Sequence, residues 1–185
     1  MDILSSRAKS LVPSATLQLV AKAAELTKEG KDVISLSVGE PDWKTYDKIS
    51  QAGIKAIESG FTKYTPVSGT LDLREAIVKT TEKELGLKWS AKQVVVGTGA
   101  KFILFSALQM LLDTDDEVLI QSPYWVSYPP MVQLAGGKPV IVECNSEHKF
   151  KLTKASLQAA TTKKTKLLIL NSPSNPTGLV YTEKE

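Results

Sequence analysis

Four short apolar runs, each separated from the next by a stretch with helical spacing, constrain the fold of this chain more than any other feature. They lie at residues 93–96, 117–120, 139–143 and 167–170. Runs of this length that do not alternate between apolar and polar residues are typical of strands buried on both faces, as in parallel sheets. Helices connect such strands by right-handed crossovers and cover the faces of the sheet. The sequence therefore predicts an α/β fold, a mainly parallel sheet flanked by helices.

Helices are predicted where apolar residues recur every three or four positions, usually before a glycine. The predicted helices run from 14 to 30, 46 to 59, 70 to 86, 101 to 111, 125 to 135 and 154 to 160. An alternating segment at 32–38 predicts a further strand. Because regular strand–helix alternation begins near residue 93, residues 1–45 are expected to form an N-terminal arm and a segment of a smaller domain. Residues 46–185 are expected to belong to a larger domain.

Composition excludes several classes of function. Of the 185 residues 23 are basic and 20 acidic, and the charges are scattered, so no nucleic-acid partner is expected. One cysteine, Cys144, and one histidine, His148, argue against a metal site, an intrachain disulfide or a catalytic triad. No apolar stretch approaches the ~20 residues of a membrane helix, and the N-terminus lacks the apolar core of a signal peptide. We expect a cytoplasmic protein without a membrane partner.

Three segments follow predicted strands, where open α/β sheets bind their ligands. The first, GTGAK at 97–101, joins a strand to a helix N-terminus. The free backbone amides and the positive dipole end of such a helix attract a phosphate. A tight turn without a ligand explains this segment equally well. The third glycine of a dinucleotide-binding fingerprint is replaced by Phe102.

The other two segments, 122–128 and 171–178, carry an indole ring and an amide. Trp125 could stack on a flat ligand ring, although packing at a sheet edge is the favoured interpretation from the residues alone. Asn175 lies in the run NSPSNPTG and could both donate and accept hydrogen bonds to a ligand. A turn that merely ends the strand is the alternative for this run.

Six motifs in a fixed order resemble those of a known enzyme family. They are PSAT at 13–16, GEPD at 39–42, KYTP at 63–66, GTGAK at 97–101, SPYWVSY at 122–128 and NSPSNPTG at 171–178. On these residues the chain resembles the class I, fold type I pyridoxal-5′-phosphate-dependent aminotransferases, most closely the bacterial-type aspartate aminotransferases. The resemblance covers all 185 residues and about the first half of such an enzyme. It implies the transferase fold of that family, with 46–185 as the N-terminal part of the large cofactor-binding domain.

The resemblance also implies roles for individual residues. The backbone amides of Gly99, Ala100 and Lys101 would hold the phosphate of pyridoxal phosphate, and the ring of Trp125 would stack on its pyridine. Asn175 would hydrogen-bond the phenolic oxygen of the cofactor. Trp125, Asn175 and Lys101 would also contact the substrate, with Lys101 a candidate to pair with the distal carboxylate of aspartate or glutamate. A plain surface lysine is the alternative for Lys101.

Two further implied contacts lie earlier in the chain. Gly39 would lie beside the carboxylate of the substrate, and Tyr64 would reach the phosphate of the neighbouring subunit, so a homodimer is implied. Pro123 and Pro176 match positions where the family often has cis peptides.

The residues that would catalyse the reaction have no counterpart in this sequence. The family's lysine that binds the cofactor covalently is missing, as are the aspartate at the pyridine nitrogen, the tyrosine after it and the arginine for the α-carboxylate. We therefore expect no catalytic residue in the chain and no turnover by it alone. Because Thr182 and Glu185 form a capping box that opens a further helix, the chain is expected to be an N-terminal piece of a longer enzyme of amino-acid biosynthesis.

The expected reaction of that enzyme moves an amino group between aspartate or glutamate and a 2-oxo acid. Within the family, a prephenate-, aromatic- or alanine-type aminotransferase and a lyase with the same cofactor are alternatives. A non-catalytic truncated module that keeps the sheet is an alternative of another class. A nucleotide-binding protein that uses residues 97–101 is disfavoured by the missing third glycine.

Overall fold

The computed structural model describes residues 3–11, 15–37 and 39–185. Its helices are α1 (Ser6–Lys9), α2 (Ala15–Lys28), α3 (Asp47–Glu58), α4 (Leu71–Leu85), α5 (Ala100–Leu111), α6 (Tyr128–Leu134) and α7 (Lys154–Ala160). Its strands are β1 (Glu117–Gln121), β2 (Lys138–Val142) and β3 (Thr165–Ile169), and short 3₁₀ turns lie at Ala91–Gln93 and Ser146–His148. None of the helices in these ranges is long and apolar enough to cross a membrane.

Contacts between residues divide the chain into two compact units, one of Met1–Val12 with Thr98–Glu185 and one of Pro13–Gly97. The first unit contains the sheet, and the second contains α2, α3 and α4. The domain boundary expected near residue 45 stays a prediction.

The sheet of the first unit has the order β2-β1-β3 and is parallel throughout. Leu119, in the middle of β1, lies opposite Val140 of β2 and Leu168 of β3. All five residues of β1 are buried, as expected for a central strand covered on both faces. The α/β fold with a parallel sheet is confirmed, and three of the four apolar runs form its strands.

One face of β1 forms the core of this unit with α5 and α6. Val118 and Ile120 project to the same face because side chains alternate along a strand, and both are completely buried with Val132 of α6. Gly137, between α6 and β2, makes this packing close. A Cβ there would lie 2.9 Å from Leu112 Cδ1 and 3.2 Å from Val132 Cγ1.

In the second unit, α4 is delimited as the sequence predicts. It follows Thr70 and ends at Gly86, which adopts the left-handed conformation typical of a helix C-terminus (φ 69°, ψ 8°). Arg74 of this helix donates from Nη1 to the carbonyl of Ala91 at 2.8 Å and from Nε to that of Gly69 at 3.2 Å. These bonds join the loop before α4 to the segment after it.

Two predicted strands are wrong. Residues 32–37 form no strand, and residue 38 lies outside the described residues. Residue 93 ends a 3₁₀ turn, and 94–96 belong to no strand. The physical reason is pairing, because an apolar run becomes a strand only when a neighbouring backbone accepts its hydrogen bonds. Val96 finds a carbonyl only at Ser68, 3.1 Å away, and Ile34 and Leu36 are 87% and 93% exposed.

The predicted helices are observed, with one shifted start. The helix predicted from 125 begins at Tyr128, so Pro129 and Pro130 fall in its first turn, where no intrahelical amide is needed. The helix predicted from residue 14 begins at Ala15, and Pro13 and Ser14 lie outside the described residues.

Candidate cofactor site

The candidate site lies in the first unit, at the carboxyl ends of its strands. Because β1 and β3 are parallel, the segment after Gln121 and the segment after Ile169 leave the sheet at the same edge. The N-terminus of α5 lies at this edge too, since the ammonium of Lys101 is over the ring of Trp125. The structure thus brings the three segments singled out by the sequence to one end of the sheet.

The N-terminus of α5 leaves backbone amides without partners in the helix. Gly99 precedes the helix with φ 95° and ψ 160°, a conformation essentially reserved for glycine, and no side chain caps the helix. Ile103 donates the bond to the Gly99 carbonyl at 3.3 Å, so the amides of Ala100 and Lys101 have no carbonyl within the helix. A Cβ at Gly99 would meet no atom within 4 Å, so the space beside it is open. These amides and the helix dipole together favour a negative charge at this point.

Trp125 supplies a flat ring next to this helix end. It is half-buried, packs against the core and meets the Tyr128 ring edge to face, with centroids 5.4 Å apart. The Nζ atom of Lys101 lies 4.9 Å from its ring centroid, within the range of a cation–π contact. Lys101 itself is exposed, so its charge is also accessible from solvent.

The loop at 171–178 holds its shape through its own hydrogen bonds. The amide of Asn175 donates to Oδ1 of Asn171 at 2.9 Å, and that of Gly178 donates to the carbonyl of Ser174 at 2.7 Å. The side-chain amide of Asn175 is exposed and bonds to no other residue in the described ranges. It is therefore available to a ligand.

The loop packs against the segment that follows β1. Residues from both line one cavity of about 10 Å³, among them Pro123, Tyr124, Ser174 and Asn175. That volume holds about one water molecule. Asn175 thus lines the same cavity as Tyr124, the neighbour of Trp125. The peptide bonds before Pro123 and Pro176 are cis, as the resemblance implies, and so is the one before Pro173.

Sequence reasoning missed a polar network behind the loop. The hydroxyl of Tyr181 donates to Oε1 of Gln121 at 2.7 Å and accepts from the amide of Leu152 at 2.8 Å. Burial raises the pKa of the Tyr181 hydroxyl above its ordinary value. One signal could have pointed to it: a glutamine at the end of an apolar strand must find a partner if it is buried.

An ion pair borders this network. Nζ of Lys151 lies 2.7 Å from Oε2 of Glu185, whose carboxylate also accepts from the amide of Thr182 at 2.8 Å. The bond from Lys151 and those from Thr182 lower the pKa of Glu185 to about 2. The contacts of the expected capping box are therefore formed.

Gly39 and Tyr64 belong to the second unit. Gly39 is exposed and lies outside any helix, strand or turn, with open space where a Cβ would be. Tyr64 is fully exposed and lines a wide surface depression with Thr62 and Lys63. The roles expected for these two residues stay predictions.

The fold and the candidate site are those of an α/β protein with a ligand site at the carboxyl ends of a parallel sheet. Comparison with known sequences identifies the family. Residues 31–185 match the profile of the aminotransferase class I and II family, so the chain belongs to that family. Its members of the aspartate aminotransferase type use pyridoxal phosphate.

The relatives most similar in sequence include aspartate and aspartate/prephenate aminotransferases. The chain is 47% identical over 184 residues to an aspartate aminotransferase of Bacillus sp. (strain YM-2), covering 100% of this chain and 47% of the relative. It is 51% identical over 185 residues to an aspartate/prephenate aminotransferase of Cereibacter sphaeroides, covering 100% of this chain and 46% of the relative. The chain spans about half the length of the curated relatives it matches.

Solved structures agree with the sequence relatives. The aspartate aminotransferase from Thermus thermophilus with maleate superposes with a TM-score of 0.95 at 43% identity, covering 100% of this chain and 48% of that one. The aspartate aminotransferase from Thermotoga maritima gives 0.92 at 40% identity, covering 98% and 48%. The fold is thus that of the pyridoxal-phosphate-dependent aspartate aminotransferases.

Proposed function

We propose that the whole protein is an aminotransferase that moves an amino group from aspartate or glutamate to a 2-oxo acid with pyridoxal phosphate. Membership of the family and the names of the relatives support this reaction. The observation that carries it is the convergence of an uncapped helix N-terminus, an indole ring and a side-chain amide at one edge of the parallel sheet.

The residues at this edge fit the parts of the cofactor. The amides of Gly99, Ala100 and Lys101 would hold the phosphate, which finds open space and a positive dipole end there. The ring of Trp125 would stack on the pyridine. The side chain of Asn175 would donate to the phenolic oxygen.

Pyridoxal phosphate, when bound, supplies the electron sink for breaking bonds at the α-carbon of the amino acid. The residues of this chain would bind and orient it, and the half-buried Trp125 would shield one face of the ring from water. We assign no base or covalent attachment point within the 185 residues. The chain is therefore proposed to bind the cofactor without turning over.

Lys101 is proposed to carry the preference for dicarboxylic substrates. Its exposed ammonium lies over Trp125 and is thus next to the proposed pyridine position. Gly39, Trp125 and Asn175 complete the proposed substrate contacts. A second candidate substrate is prephenate, favoured by relatives at 51% identity that are named aspartate/prephenate aminotransferases.

The whole protein is proposed to be a homodimer in which Tyr64 reaches the phosphate bound by its partner. The complete exposure of the Tyr64 side chain supports this contact. The cytoplasmic location expected from the sequence stays a prediction.

The reaction is tested on the whole protein by mixing it with single amino acids and following the absorbance of its bound cofactor. Aspartate and glutamate are expected to convert the cofactor, whereas phenylalanine is expected to be slow. The Lys101→Met variant should lose rate with aspartate and keep its rate with phenylalanine. No conversion with any amino acid would contradict the proposed reaction, and equal conversion by all would contradict the role of Lys101.

A further inference from the structure

We propose that Tyr181 is a positioning residue, whose hydroxyl fixes the loop at 171–178 to the end of β1 and thereby holds Asn175 for the phenolic oxygen of the cofactor. This inference rests on the proposed function. It adds a residue outside the six motifs, whose hydroxyl is bonded to Gln121 and Leu152.

Tyr181 follows the loop and bonds in three directions. Its hydroxyl donates, at 2.7 Å, to Oε1 of Gln121, which is the last residue of β1. The same oxygen accepts from the amide of Leu152 at 2.8 Å, just before α7. The backbone amide of Tyr181 donates to Oγ of Ser172 at 3.1 Å, at the start of the loop. One residue thus joins the loop to two separate parts of the unit.

The Tyr181 hydroxyl makes the hydrogen bonds that connect the loop to the rest of the unit. The other hydrogen bonds of residues 171–181 in the described part of the chain each join two members of that segment. They give the loop its internal shape. Beside the covalent link of the loop to β3, the bonds of the Tyr181 hydroxyl are therefore the hydrogen bonds that tie the loop, and with it Asn175, to the end of β1.

Gln121 makes the attachment firm. Only 7% of its surface is exposed, and its Nε2 donates to the carbonyl of Phe150 at 2.5 Å. Loss of the Tyr181 hydroxyl would leave a buried amide oxygen without its donor, which disfavours any rearrangement that breaks this bond. Gln121 also precedes the segment that carries Trp125 by only a few residues, so Tyr181 bonds to the strand end from which that segment leaves the sheet.

The ring of Tyr181 is held from a second side. Nζ of Lys151 lies 5.4 Å from its ring centroid, and the Lys151 side chain is only 13% exposed. The same ammonium pairs with Glu185 at 2.7 Å. The contact with Lys151 thus adds a second restraint on the ring, beside the bonds of its hydroxyl.

The test uses two ligands that differ only in the oxygen that Asn175 would contact. They are pyridoxamine 5′-phosphate and its analogue without the phenolic hydroxyl. Neither has an aldehyde, so neither reacts with the lysines of the chain. Isothermal titration of the whole protein, freed of its cofactor, gives the two dissociation constants and their ratio. A hydrogen bond of ordinary strength predicts that the natural compound binds about 3- to 10-fold more tightly.

Four variants separate positioning from mere stabilisation. Tyr181→Phe and Asn175→Ala should each bring the ratio close to one, and the double variant should lower it no further. Thr162→Val is the matched control, since Thr162 donates to the strand residue Glu117 at 2.6 Å from outside the candidate site. It should lower the urea midpoint of unfolding while keeping the ratio. Gln121→Met removes the acceptor of the Tyr181 hydroxyl and so breaks the same hydrogen bond. It is used in place of Tyr181→Phe if that variant does not fold.

Each outcome is decisive. A ratio near one in Tyr181→Phe and Asn175→Ala, but retained in Thr162→Val, supports the proposal. A ratio retained in Tyr181→Phe and lost in Asn175→Ala overturns the role of Tyr181 and leaves the cofactor site intact. A ratio retained in Asn175→Ala, or no binding by the unmodified whole protein, overturns the proposed contact with the cofactor and this inference with it.

Discussion

Replacing Gly99 with alanine tests whether the backbone conformation at the N-terminus of α5 is needed to bind a phosphate. At φ 95° and ψ 160° an alanine is strained, but its Cβ would meet no atom within 4 Å. The substitution therefore adds backbone strain without a steric clash. The chain must either keep the strained conformation or turn the peptide away and move the amides of Ala100 and Lys101.

The magnitude follows from the two alternatives. A non-glycine residue in this region costs about 1–3 kcal/mol, which sets the expected loss of unfolding free energy. If the amides turn away, a bound phosphate loses charge-assisted hydrogen bonds that each contribute about 1.5–3 kcal/mol. One such bond corresponds to about a 10- to 150-fold weaker affinity.

The assay pairs urea unfolding with calorimetric titration of inorganic phosphate and pyridoxamine 5′-phosphate. Gly86→Ala is the matched control, because Gly86 also has a positive φ (69°) and open space around it. Alanine there costs about 1–2 kcal/mol, and Gly86 ends α4, outside the proposed site.

Both variants should lose stability, and only Gly99→Ala should lose affinity for the two ligands. An unchanged affinity of Gly99→Ala for both compounds would refute the assignment of the phosphate to the α5 N-terminus.

Three further predictions address packing, pH and turnover. Gly137→Ala should lower the unfolding free energy by about 1–3 kcal/mol, because its Cβ would approach Leu112 Cδ1 to 2.9 Å; an unchanged urea midpoint would contradict this. The pKa of Glu185 is lowered from 4.5 to about 2, so the ionised carboxylate stabilises the fold above pH 4.5. The difference in unfolding free energy between the unmodified chain and Glu185→Gln should vanish as the pH falls through about 2. A difference in urea unfolding that does not change with pH would contradict this. The 185-residue chain with added pyridoxal phosphate should transaminate aspartate and 2-oxoglutarate no faster than the free cofactor, and faster product formation in a coupled assay would show a catalytic base that we have not assigned.

Local patterns were enough to predict most of the first unit. The run at 117–120 is apolar and bounded by polar residues, and it forms the central strand because helices and two neighbouring strands surround it. Residues 93–96 likewise have one polar residue followed by three apolar ones, but form no strand. The difference lies in whether a neighbouring backbone pairs with the run, and a single sequence does not encode that pairing locally.

The candidate site also has residues that the sequence predicts and residues that only the structure brings together. Gly99, Trp125 and Asn175 lie in compact motifs directly after apolar runs, so their chemistry is visible in the sequence. Tyr181 and Gln121 are 60 residues apart and meet only because the loop returns to the strand end. A tyrosine among ordinary loop residues gives no sign of such a partner, and this is why the attachment of the loop required the structure.

The central claim is that one edge of the parallel sheet holds a phosphorylated pyridine, and amide spectra of the ¹⁵N-labelled chain titrated with pyridoxamine 5′-phosphate test it most directly. The signals of Gly99, Ala100 and Lys101, the indole of Trp125 and the side-chain amide of Asn175 should shift together and saturate at one dissociation constant. Shifts confined to other parts of the chain, or none at millimolar ligand, would contradict it.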